Sequence, residues 1–160
     1  MDKQLSAVQQ ILNDHIEKSD NVIKNASHAY GVAAFAASLA KKRGLNPKIA
    51  AISGLLHDIS YIQSGTYDRH DELGADIAKE ILLDLGLFSG SEIEIVYNAI
   101  LRHDLRQEEH DPYDEVLKDA DIAFPYFTTL PEAVKLSDQH RVSNLYKELL
   151  GKPFFTAVKE

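Results

Sequence analysis

Seven histidines stand in the chain, and four of them are followed directly by aspartate: His57-Asp58, His70-Asp71, His103-Asp104 and His110-Asp111. With 14 Asp in 160 residues, chance would place fewer than one such pair behind seven histidines. Imidazole nitrogen beside carboxylate oxygen is a donor mixture that holds divalent transition metals, so the excess points to metal chemistry. The pairs differ in the faces they occupy. His57-Asp58 closes the most apolar segment, Ile49 to Leu56. Two ionisable groups there cost several kcal/mol unless they are paired or bind a metal. The other reading of that position is a histidine at a helix end with a capping aspartate.

Helical spacing turns three more histidines inward. His103 follows Val96 by seven residues, Ala99 by four and Ile100 by three, which places it on their apolar face. His28 precedes Val32 by four and Phe35 by seven, and His70 heads the stripe Leu73, Ile77 and Ile81. One inward histidine is more often a hydrogen-bonded core residue than a ligand. Four of them on four separate helices need partners together, and a shared metal satisfies all four at once. Asp119 and Asp121 flank Ala120, and periodicity puts either one at the edge of a buried face. His110, in the acidic run Glu108 to Asp111, reads as solvated; His15 and His140 have no constellation around them.

The elements that must carry these residues are helical throughout. Stripes run through Leu5 to Ile16, through Val22 to Leu39 with a stop at Gly44, and through Ile49 to Leu56 after the start signal Asn46-Pro47. A loop is expected over Gln63 to Asp68. Helices follow from His70 to a stop near Gly86, from Ser89-Gly90-Ser91 through Ile100, and over Val116 to Phe124. A further segment opens at Pro131, and a last one covers Val142 to Leu150. No stretch alternates like a half-buried strand over more than a few residues. The expectation is an all-α fold of about seven helices, a single domain over residues 1–160 with an inward-facing metal site.

Composition narrows the function by exclusion. With no cysteine there is no disulfide framework, no thiol nucleophile and no iron–sulfur cluster. The 17 Lys+Arg against 25 Asp+Glu give a net charge of −8, which argues against holding duplex nucleic acid. Apolar runs fall short of the ~20 residues a membrane span needs, and Met1 to Asp14 do not resemble a secretory leader, so a cytoplasmic location away from membranes is expected. Oligomeric state is not readable.

The order His28, His57-Asp58, then Asp121 in Lys118-Asp119-Ala120-Asp121 resembles the H…HD…D signature of the HD-domain superfamily of metal-dependent phosphohydrolases, over about residues 28–124. His70 in His70-Asp71-Glu72-Leu73-Gly74-Ala75 is similar to the H-x-x-x-G-A helix start of members with a larger site. His103 in Ala99-Ile100-Leu101-Arg102-His103 resembles their next histidine. The resemblance implies an all-helical fold with the ligands His28, His57, Asp58, His70, His103 and Asp121, holding two divalent ions (Fe, Mn, Co, Ni or Zn) bridged by Asp58. Asp58 and Asp121 are then the catalytic carboxylates. The family pattern, not spacing, selects Asp121 over Asp119. Two departures stand out: Tyr61 replaces the Lys of HD-x-G-K, and Asp104 replaces the second of two consecutive histidines.

The activity this implies is hydrolysis of a phosphoester or phosphoanhydride in a nucleotide or other small phosphorylated metabolite. A divalent metal acidifies a bound water toward neutral pH, and a second one clamps phosphoryl oxygens. Asp104 or Asp119 could assist as a base. Helical spacing nominates Lys24, Arg106 and Lys118 to bind the phosphate, with Arg106 within reach if the helix runs on past His103. A di-iron oxygenase of the same fold, with Tyr61 in its favour, is the second reading. A non-catalytic metal-binding sensor is the third, disfavoured because all six ligand positions are filled.

Overall fold

The computed structural model describes residues 2–128 and 135–151. Their order is α1 (Lys3–Ile16), α2 (Val22–Lys42), α3 (Pro47–Leu56), α4 (Ile59–Ser64), α5 (His70–Leu85), α6 (Gly90–Arg102), α7 (Pro112–Thr128), a 3-10 turn (Leu136–Asp138) and α8 (Gln139–Leu150). No strand occurs among the described residues. The segment opened by Pro131 lies outside them. Among the described residues no helix is long and apolar enough to cross a membrane.

The local signals explain most boundaries. The Asn46 side chain accepts from the Lys48 amide with Pro47 behind it, starting α3. Ser89 and Glu92 form a capping box that starts α6. Gly86 and Gly151 end α5 and α8 in the left-handed conformation. Two elements differ from expectation. The chain from Ile59 is helical as far as Ser64, so the expected loop begins only at Gly65. Six residues are too few for a periodic pattern to show.

Helix α5 also turns a different face inward. Leu73, expected in the core, is 42% exposed, and the buried face is His70, Gly74, Ala75, Ala78 and Leu82. Small residues win there because α5 presses against α4 and α6. A Cβ on Gly74 would lie 3.3 Å from the His57 carbonyl oxygen. Likewise α2 and α3 close tightly at Gly54, where a Cβ would meet the Ala33 backbone at 2.7 Å. These two close approaches fix how near His28 and His70 come to His57. The core beneath them is one cluster, including Val32, Leu56, Ile100 and Leu117, which α2, α3, α6 and α7 share.

Candidate metal centre

Six helix ends or faces deliver the centre. His28 lies midway along α2, His57 caps the C-terminus of α3, and Asp58 starts α4. His70 opens α5, His103 caps α6, and Asp121 sits on α7. Burial forces their polar atoms toward one another, since the surroundings are apolar.

The donors divide into two clusters. In the first, His28 Nε2 and His57 Nε2 are 3.1 Å apart. Asp58 Oδ2 lies 3.4 Å from each. Asp121 Oδ1 is 3.2 Å from His28 Nε2 and 3.5 Å from His57 Nε2. In the second, His70 Nε2 and His103 Nε2 are 3.3 Å apart, and the other Asp58 oxygen, Oδ1, is 3.9 Å from His70 Nε2. The groups His28, His57, Asp58 and Asp58, His70, His103 each converge closely enough to hold a metal ion. Asp58 belongs to both, with one oxygen turned to each.

Geometry and tautomer both fit a cation. Ligands about 2.0–2.1 Å from a metal stand about 3.0–3.4 Å from each other at right-angled to tetrahedral angles, and the first cluster's spacings fall close to that range. Three rings are oriented by backbone: Nδ1 of His57 donates to Gly54 O at 2.8 Å, His70 Nδ1 to Tyr67 O at 3.0 Å and His103 Nδ1 to Ile100 O at 2.6 Å. With Nδ1–H engaged, each Nε2 lone pair faces the centre, as a metal ligand requires.

Without a metal, protons and carboxylates balance each other. Burial opposes a charged His57 ring, yet Asp58 and Asp121 outweigh it and push its pKa up to about 9. Burial likewise opposes an ionised Asp58, but His57 and His28 hold it at about 2. Asp121 lies well below the usual carboxylate range for the same reason, with His28 and His57 overcoming its burial. His103 goes the other way, lowered by burial and by the charge on His57. Three buried groups that hold charge against desolvation mark a site built for a cation.

The nominated phosphate-binding residues fare differently. Arg106 reaches the centre although α6 stops at Arg102; a turn carries it there, and its Nη2 lies 2.5 Å from Asp121 Oδ2. Lys24 stands at a neighbouring cavity, its Nζ 3.5 Å from Tyr61 Oη. Lys118 is a correction. It is fully buried, and its amine donates to Glu108 O, His110 Nδ1 and Glu115 Oε1, at 2.9, 2.7 and 2.7 Å. It ties down the 106–111 loop and has no access to substrate. For the same reason His110 is not simply solvated. Asp119 faces away from the histidines, held by Arg43 at 2.7 Å and Arg141 at 2.9 Å, so it has no path to act as base.

Asp104 is the residue whose importance spacing understated. Its carboxylate lies 3.4 Å from His70 Nε2 and 3.7 Å from His103 Nε2, and its side chain is 47% exposed. The His103-Asp104 pair was the available signal. A cavity of about 720 Å³ opens over the centre, with Asp104, Arg106, Lys135 and Asp138 in its wall.

A helical bundle that gathers histidines and aspartates from six helices around one shared carboxylate defines a class of buried metal-binding domain. The family model for the HD domain matches residues 25–123, and the chain belongs to that family. Neither a curated protein nor a solved structure matches it significantly.

Proposed function

We propose that this protein is a metal-dependent phosphohydrolase that cleaves a phosphoester or phosphoanhydride of a small phosphorylated metabolite, the nucleotides included. The observation that carries the reading is Asp58, which turns one oxygen to the His28/His57 cluster and the other to His70, on the floor of an open cavity. This supports two ions per chain, with Asp121 completing one site and Asp58 common to both. When bound, divalent transition metals acidify a water and draw charge from phosphoryl oxygens.

The chain's own residues supply the rest. Arg106 brings a guanidinium to the cavity wall, where it can bind phosphate oxygens in its planar fork. Asp138 holds the same guanidinium from the side, 3.4 Å from Nη1. Asp104, half open to the cavity, is the carboxylate placed to take a proton from the attacking water. The water oxygen bonds phosphorus, the bridging P–O bond breaks, and the proton leaves on the departing oxygen. The buried bases His57 and His103 are each fixed through Nδ1, so they orient and do not shuttle protons.

The test is a phosphate-release screen over nucleotides and simple phosphate esters, with elemental analysis of protein purified without chelator. Co-purifying transition metal and release lost on chelation are expected. A metal-free protein that gains no activity from Mn, Fe, Co, Ni or Zn would overturn the reading.

A further inference from the structure

Beside the metal centre lies a second chamber of about 510 Å³, which shares His28, Asp58 and Tyr67 with the first. Its character is different. Ala29, Ile62 and Phe124 line it, together with Tyr61, whose ring stacks on Tyr67 with centroids 4.0 Å apart and planes 13° from parallel. Phe124 packs over Gly31 and meets His28 edge-on at 5.4 Å between centroids, so the aromatic wall runs up to the ligands themselves. One cation stands there, Lys24, with its Nζ 5.5 Å from the Tyr61 ring centre. A chamber of this kind favours flat or apolar groups, which aromatic faces bind without demanding hydrogen bonds.

The larger chamber sets a limit on charge. Asp58, Asp71, Asp104, Asp121 and Asp138 face Arg106 and Lys135, an excess of three negative charges that two divalent ions would convert to one positive. One phosphate group, carrying about −1.5 to −2, brings the chamber within about one charge of neutral. A chain of three or four phosphates leaves a larger negative excess.

Resting on the phosphohydrolase reading, we infer that the substrate is a phosphate monoester whose organic part is planar or apolar, seated against Tyr61, Tyr67 and Phe124 while its single phosphate lies over the metal ligands toward Arg106. The two chambers then divide the substrate at its phosphorus–oxygen bond.

The experiment uses the full chain loaded with Mn²⁺ and compares 2-phenylethyl phosphate with glycerol 3-phosphate. Both esters release simple alcohols, so the comparison reads the fit of the organic part. The phenylethyl ester should show a kcat/KM at least about tenfold higher. Adenosine triphosphate should be turned over more slowly than either. Tyr61→Ala, and Ser27→Trp in the chamber's lining, should each reduce the phenylethyl-to-glycerol preference by about tenfold. Equal kcat/KM for the two esters, or faster turnover of the triphosphate, would overturn the inference. If no ester is hydrolysed with any metal, the phosphohydrolase reading fails, and the chamber is judged by calorimetry alone. In that case 2-phenylethylphosphonate should bind at least about tenfold tighter than methylphosphonate, with the difference lost in Tyr61→Ala. Equal binding would overturn the chamber's assignment.

Discussion

Arg106 and Asp121 form an ion pair at 2.5 Å through Oδ2, while Oδ1 of the same aspartate faces His28 at 3.2 Å. One carboxylate thus joins the donor cluster to the guanidinium at the cavity wall. Arg106 is thereby held in place before substrate arrives, which reduces the ordering cost of binding a phosphate. Arg106→Ala should raise KM for a phosphate ester about tenfold or more and lower kcat less, with metal content unchanged. Steady-state kinetics with elemental analysis on the same sample checks this. A loss of metal in parallel with activity would assign Arg106 to holding the centre together.

Nuclearity follows from the shared aspartate. Elemental analysis at saturation should find two ions per chain in the wild type, one in His70→Ala and none firmly held in Asp58→Ala. Far-ultraviolet circular dichroism should show the helices of Asp58→Ala intact, because Asp58 makes no side-chain cap bond to α4. A wild type that saturates at one ion, unchanged by His70→Ala, would reduce the centre to the His28/His57 half.

The pH dependence has a definite sign. In the metal-free protein His57 is raised from 6.5 to about 9. Its contribution to stability is therefore fully present below pH 6.5 and is lost as pH rises through 9, at most roughly 3 kcal/mol. Asp58, lowered from 3.8 to about 2, contributes above pH 3.8 and loses that contribution as pH falls through 2. A metal must displace the His57 proton, so binding at pH 7–8 should release about one proton per chain. The rise in Tm on adding Zn²⁺ should grow between pH 6.5 and 9. A Tm gain independent of pH across that window would contradict the assignment of His57 as a ligand.

Lys118 gives a prediction of the opposite kind. Removing a fully buried amine takes one donor each from Glu115, His110 Nδ1 and the Glu108 carbonyl. Lys118→Met should cost about 2–4 kcal/mol by chemical denaturation. Where the variant stays folded, KM for phosphate esters and metal content should be unchanged. A KM effect without loss of stability would return Lys118 to the substrate site.

What the sequence made legible divides along physical lines. Helix ends were readable where one residue type has one conformational use, as at Ser89, Asn46-Pro47 and Gly86. The inward histidines were readable because His28 and His103 share the 3.6-residue period of their apolar neighbours. The α5 face was not, because close packing at Gly74 selects small residues, and hydropathy alone favours Leu73. Lys118, Asp119 and Asp121 lie within four positions on α7, yet only Asp121 meets the histidines of the centre. All three are buried, and which of them reaches the centre depends on partners distant in sequence, Arg43 and Arg141 for Asp119 and the 106–111 loop for Lys118. Arg106 arrives through a turn beyond α6, where helical spacing no longer applies.

The central claim, hydrolysis by a metal-dependent centre, is tested most directly by isotope transfer. Metal-loaded protein is given a phosphate ester in ¹⁸O-labelled water without oxygen, before and after chelation. The account predicts one labelled oxygen in each phosphate released, an unchanged rate without oxygen, and no release after chelation until metal is restored. Phosphate release that survives exhaustive chelation, or turnover that requires oxygen, would contradict it.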